Sequence, residues 1–101
     1  VSSQFRFRPE VPDDIGEICR WYNERRVGLG QEFVEELYAT LSRIEADPEL
    51  YVTTYRDIRS VRLHRFPCVV HYRLLNDTIL VLAVMHGRRD PATWQGRADL
   101  E

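Results

Sequence analysis

Polar and apolar residues alternate over residues 4–8, QFRFR, so Phe5 and Phe7 share one face of a short strand. Pro9 and Pro12 end that strand, because proline lacks the N–H a ladder needs. Asp13 or Asp14 can cap the helix that follows, a carboxylate being a good acceptor for the unpaired N–H groups of a first turn. The apolar positions Ile15, Ile18, Cys19 and Tyr22 recur at i, i+3, i+4 and i+7, the spacing of one helix face. Glu17 near its start and Arg25 and Arg26 near its end suit the helix dipole. Gly28 and Gly30 then break the chain, and a second helical period runs through Phe33, Val34, Leu37, Tyr38, Leu41 and Ile44 until Asp47-Pro48 stops it. Helices joined by so short a glycine turn form an antiparallel hairpin.

The period changes in the second half. Residues 56–65, 67–75 and 78–86 are rich in Val, Ile, Leu, Tyr and Phe and read as three consecutive antiparallel strands. Asn76-Asp77 is the two-residue turn between the last pair. The stretch ILVLAVM (79–85) is apolar on both alternating faces, which places it centrally with cover on each side. The helical hairpin covers one face. The other must meet the C-terminal segment, a second copy or a partner protein. Asp90 can cap a short turn of helix opened by Pro91. The predicted fold is α+β, in the order β-α-α-β-β-β, with the helical hairpin packed on one face of a small antiparallel sheet.

Composition narrows the class. At 101 residues the chain has the length of one domain, spanning 1–101, and its 44% hydrophobic and 30% charged content is that of a globular protein. No apolar run is long enough to cross a bilayer and no charged-then-apolar leader opens the chain, so a soluble, cytoplasmic protein without a membrane partner is expected. Cys19 and Cys68 lack the close spacing of a zinc or redox motif and read as small core residues. Neither a metal nor a cofactor is expected. The net charge of −2 conceals a segregation: residues 10–49 hold eleven acids against four arginines, and residues 53–97 hold eight arginines against three aspartates. All fourteen basic residues are arginine, whose planar fork suits carboxylates and phosphates.

Several pieces occur together in order: the strand ending at Pro9, DDIGEI, WYNERRVGLGQEF, ADPELY, IRSVRLHRFPCVVHY and ILVLAVMHGRRDPATW. RFP with a tyrosine five residues beyond the proline, followed by HGRRDP and a tryptophan, is the distinctive combination. Over nearly its whole length the chain resembles the RelE/ParE superfamily of type II toxin–antitoxin toxins, and the ParE branch (plasmid stabilisation proteins) in particular. The resemblance implies a growth-inhibiting toxin neutralised by a cognate antitoxin whose tail wraps the sheet and hairpin, as a homodimer or a toxin–antitoxin hetero-oligomer. It implies either of two targets: ParE-type members poison DNA gyrase without being enzymes, whereas RelE-type members are metal-independent endoribonucleases that cut messenger RNA in the ribosome. A third reading is a non-toxic binding module of the same fold.

The residues bear on that choice. RNA cleavage without a metal needs a base for the ribose 2′-OH, an acid for the leaving oxygen and cations for the phosphate. Arg88 and Arg89 are candidates for the last, and His64 and His71 for acid or base work, since histidine titrates near neutrality. A histidine on a half-exposed strand is more often structural, and Tyr72 reads as core. RelE-type nucleases carry a basic residue just after the aromatic that opens the third strand; that place falls near Val69 here, which weakens the nuclease reading. Arg88, Arg89, Trp94 and Arg59 are the candidate target-binding residues, although Trp94 can equally cover the end of the sheet. Arg56, Arg59, Arg62 and Arg65 recur every third residue, so a regular strand sends Arg56 and Arg62 to one face and Arg59 and Arg65 to the other. Solvated edge charges account for them at least as well as binding does; on the sharper reading Arg59 pairs with the acidic helices, and Arg62 and Arg65 meet the antitoxin or a dimer partner. Only one of Trp21 and Tyr22 can face the core, and if that is Tyr22, Trp21 is an exposed antitoxin or dimer contact.

Overall fold

The expected pair of helices is present as α1 (Val11–Arg25) and α2 (Leu29–Ala46) in a computed structural model that describes residues 4–100. The N-cap of α1 is Glu10 and Pro12 lies in its first turn, so the helix starts earlier than a cap at Asp13 or Asp14 requires and both aspartates lie inside it. Gly28 adopts φ 90° at the N-cap of α2, a conformation few side chains tolerate. Gly30 does not break the chain as expected; it is buried within α2, where a Cβ would stand 2.6 Å from the Cys19 carbonyl oxygen. Its N–H donates to Asn23 Oδ1 at 2.9 Å, so the absent side chain lets the helices touch and closes the hairpin.

The strands are β1 (Gln4–Phe7), β2 (Thr53–Tyr55), β3 (Ile58–Arg62), β4 (Cys68–Leu75) and β5 (Thr78–His86), followed by helix α3 (Pro91–Asp99). They form one five-stranded sheet in the order β1-β5-β4-β3-β2. The sheet is mixed, not antiparallel throughout, because β1 lies parallel beside β5. The expected strand over 56–65 is divided: Arg56 takes φ 52° in a turn between β2 and β3, and Arg65 lies beyond the end of β3. Asn76, at φ 57°, makes the predicted turn between β4 and β5.

One face of the sheet packs on the hairpin, with Phe33, Leu37 and Ile44 of the helices against Val61, Val70, Tyr72 and Val81. Each large apolar side chain buried here stabilises the fold by about 1.5–3 kcal/mol. Tyr38, expected on this face, is instead 65% exposed. Between His71 and Tyr72 the β4–β5 register shifts, leaving Leu82 as an extra residue of β5. Such a bulge turns consecutive side chains the same way, and Leu82 and Ala83 do share the second face with Leu80 and Met85. There α3 supplies cover through Trp94 and Ala98, spaced one helical turn apart. The C-terminal segment is thus the cover present among the alternatives, and it runs for nine residues, not a single turn. Asp90 accepts from Ala92 N–H at 3.0 Å, the cap expected for it. No helix among the described residues is long and apolar enough to cross a membrane.

A buried clasp anchors α3. Arg97 donates to both Asp14 oxygens at 2.7 and 3.0 Å and to Leu82 C=O at 3.1 Å. Asp14 Oδ2 also accepts from Val84 N–H. These bonds satisfy main-chain groups of β5 beyond the point where its pairing with β1 ends.

Candidate functional site

The ends of β3 and β5 carry exposed cations. Arg62 is exposed at the end of β3, and its Nη1 lies 3.6 Å from where a Cβ on Gly87 would stand. Gly87 leads into Arg88 and Arg89, both exposed, in a turn held by Gly87 N–H to Pro67 C=O and Arg89 N–H to His86 C=O. The Arg88 backbone N–H donates to His86 Nδ1 at 3.0 Å, and its guanidinium makes no ion pair among the described residues. Arg89 has only a 3.9 Å approach to Glu17, with both side chains largely in solvent. His64 is exposed in the β3–β4 connection.

The other arginines of the three-residue series are engaged elsewhere. Arg65 binds Glu36 through its backbone N–H (2.8 Å) and Nε (3.0 Å) and approaches Glu32 at 3.6 Å, so it pairs with the acidic helix α2. Burial alone would raise the Glu36 carboxyl, but hydrogen bonds from Arg65 and the His64 backbone hold it below its ordinary value. Arg59, expected to pair with the acidic helices, donates instead to the carbonyls of Glu49 (3.0 Å) and Tyr51 (2.6 Å), tying down the chain after α2. The reason is geometric: the inserted strand β2 places the 49–52 segment alongside β3, where its carbonyls are nearer than any helix carboxylate.

His71 and Trp94 meet, but not as an open site. Their rings stack with centroids 4.0 Å apart and planes inclined by 12°, and both residues are buried. His71 Nδ1 shares a hydrogen bond of 2.8 Å with Ser60 Oγ, which in turn bonds Thr54 Oγ1 at 2.7 Å. Burial depresses the His71 pKa to about 4, so the ring is neutral at pH 7 and cannot act as a general acid there. Trp94 covers the sheet, with no ring face to offer a target. Tyr72 is buried as expected, its hydroxyl donating to Pro48 C=O at 2.6 Å.

A separate feature escaped sequence reasoning. Between α1 and the ends of β4 and β5 lies a pocket of about 230 Å³ whose walls include Ile18, Trp21, Tyr22, Cys68, Val84 and Met85, with Glu17 and Arg89 at its mouth. Tyr22 is the ring that faces the core, and Trp21 is 47% exposed with the Arg25 guanidinium 3.2 Å from its centroid. Burial pushes the Cys68 thiol up, and the Tyr22 hydroxyl up to about 12, so neither ionises near neutrality. Among the described residues no three His, Cys, Asp or Glu side chains gather in a way that could hold a metal ion.

The architecture recurs in a solved chain titled "Chromosomal ParDE TA system from P. aeruginosa", with a TM-score of 0.74 over 83% of this chain and 95% of that one. At 12% identity this likeness speaks for the fold alone. The finer assignment comes from sequence: the family described as "ParE toxin of type II toxin-antitoxin system, parDE" matches residues 5–91, and the chain belongs to it. Toxin ParE2 of Mycobacterium tuberculosis, in strains CDC 1551 / Oshkosh and H37Rv, is 26% identical over 96 residues, covering 90% of this chain and 88% of each relative. The protein is therefore a ParE-type toxin, and membership of that family implies a cognate antitoxin.

Proposed function

We propose that the chain arrests growth by binding DNA gyrase through the cationic rim of Arg62, Arg88 and Arg89, and that the antitoxin neutralises it by occluding this end of the sheet. The rim carries the reading: Arg62 at the end of β3 reaches to Gly87, and the exposed Arg88 and Arg89 follow that glycine directly. His71 is sealed beneath Trp94, and the place near Val69, where the resemblance implies a basic residue in RelE-type nucleases, is apolar. These observations favour the gyrase reading over the ribonuclease one. Association between a rim of this kind and its target is steered by charge, so it weakens as salt rises.

The test is a cleavage-complex assay with purified gyrase and supercoiled DNA, alongside induced expression with a DNA-damage reporter and transcript mapping. Cleaved DNA and an induced damage response with intact transcripts are expected, and the double change Arg88→Ala and Arg89→Ala should remove both. Absence of gyrase cleavage complexes would sink the reading. Truncated transcripts without DNA damage would replace it with the ribonuclease, and healthy growth with the binding module.

A further inference from the structure

We propose that the pocket between α1 and the end of β5 seats one aliphatic side chain of an extended antitoxin segment, with an acidic residue two places further on, on the same face of that segment, bound by Arg89. The inference rests on the reading of the chain as a toxin held by an antitoxin, and names the site and the chemistry of that hold.

The first argument is volume and lining. An aliphatic-lined cavity of about 150 Å³ is enough for benzene, so a pocket of about 230 Å³ with largely apolar walls accepts a leucine or methionine side chain. The exposed indole of Trp21 forms part of its wall and loses solvent when the pocket fills.

The second is the backbone beside it. Pairing of β1 with β5 ends at Val81, where Arg8 N–H donates to Val81 C=O, and no described strand lies beside the rest of β5 on that side. Val84 N–H already points outward, to Asp14. Alternation along a strand turns Val84 C=O and His86 N–H to the same outer side. An added segment that bonds to them sends alternate side chains towards the α1 face, where the pocket opens.

The third is charge. Arg89 sits at the mouth with only a long, solvated approach to Glu17 at 3.9 Å, and Arg88 follows on the same turn. A carboxylate two residues past the anchor, on the same face of the extended segment, displaces Glu17 and gains a charge-assisted bond. A basic residue there meets both arginines.

The experiment uses the isotope-labelled full chain titrated with the capped hexapeptide acetyl-Val-Thr-Leu-Thr-Asp-Thr-amide and followed by NMR. Shifts are expected at the amides of Val84, His86 and Arg89 and at the Trp21 indole N–H. Replacing the peptide leucine by serine should weaken binding about ten-fold or more. Arg89→Glu should weaken the aspartate peptide about two- to five-fold and bind a lysine-for-aspartate peptide better than the parent does, since the pair is solvated. Leucine and serine peptides of equal affinity, shifts centred elsewhere, or no shifts at millimolar peptide would each overturn the proposal. No arm involves gyrase, so failure of the target assay leaves this result standing, and failure here leaves that reading intact.

Discussion

Protonating His71 should loosen the sheet face that α3 covers. In the unfolded chain the imidazole titrates near 6.5, whereas in the fold burial holds it near 4. The folded state therefore prefers the neutral ring, and stability is complete above the unfolded value and is lost as pH falls through the window from 6.5 to 4. At 1.36 kcal/mol per unit, the loss is about 2 kcal/mol by pH 5 and about 3 kcal/mol near pH 4. That is a large part of the ~5–15 kcal/mol that holds a domain together. Neighbours offer the ring no relief: it is flanked by the Ser60 hydroxyl and the Trp94 ring, neither of which carries the negative charge that would stabilise an imidazolium.

The assay is urea unfolding at intervals from pH 7.5 to 4.5 for the parent and for His71→Asn, which keeps an acceptor near Ser60 but cannot titrate. The variant should be less stable at pH 7, having lost its stack on Trp94, and flatter with pH. Between pH 7 and 5 the parent midpoint should fall by about 1.5 M more than the variant's, taking a slope of ~1–1.5 kcal/mol/M. Carboxylates such as Glu36 titrate in both proteins and cancel in the comparison. Parallel curves over this window would refute the reasoning.

The remaining expectations concern the hairpin, the clasp and the rim. Gly30→Ala forces a Cβ against backbone and should cost about 2 kcal/mol, lowering the melting temperature by about 10 °C in a thermal scan. Arg97→Ala strands the buried Asp14 carboxylate and should cost about 3 kcal/mol, with faster hydrogen exchange in α3 before the rest of the fold; uniform exchange would count against the clasp. Arg88→Ala and Arg56→Ala change net charge equally, yet only the first should slow association with gyrase and reduce its salt dependence, because Arg56 is paired with Asp99 at 3.0 Å away from the rim. Equal effects would show that overall charge, and not the rim, governs encounter.

The hairpin was legible in sequence because its signals are local: the 3.6-residue period through Phe33, Leu37, Leu41 and Ile44, and the Asp47-Pro48 stop, need no knowledge of partners. So was the turn at Asn76, and the double-sided burial of β5. The division between β2 and β3 was not, since Arg56 adopts a positive φ without the glycine that would have marked it. Parallel pairing of Gln4 with Thr78 joins residues far apart in the chain, and no local pattern encodes it. At the site, the arginines were visible as residue types, but whether each stays exposed depends on tertiary neighbours. Arg65 and Glu36, 29 residues apart, meet only once the hairpin docks beside β3. The pocket draws its walls from α1, β4 and β5 together and leaves no signature in any one of them.

Folding sorts the segregated charge by cancellation. The acids of α2 take up Arg26 and Arg65, Asp14 takes up Arg97, Asp57 takes up Arg73 and Asp99 takes up Arg56. Most of the arginine surplus in the second half is thereby spent inside the fold or along its flanks. Arg62 and Arg88 make no ion pair among the described residues and Arg89 makes only a weak one, and all three lie where β3 and β5 end. A chain of net charge −2 can thus present a locally positive edge, because the potential felt by an approaching partner depends on where charge is left unpaired and not on its sum. Arg89 stands at once on that edge and at the mouth of the pocket, so an acidic segment entering the pocket would neutralise part of the rim from the side.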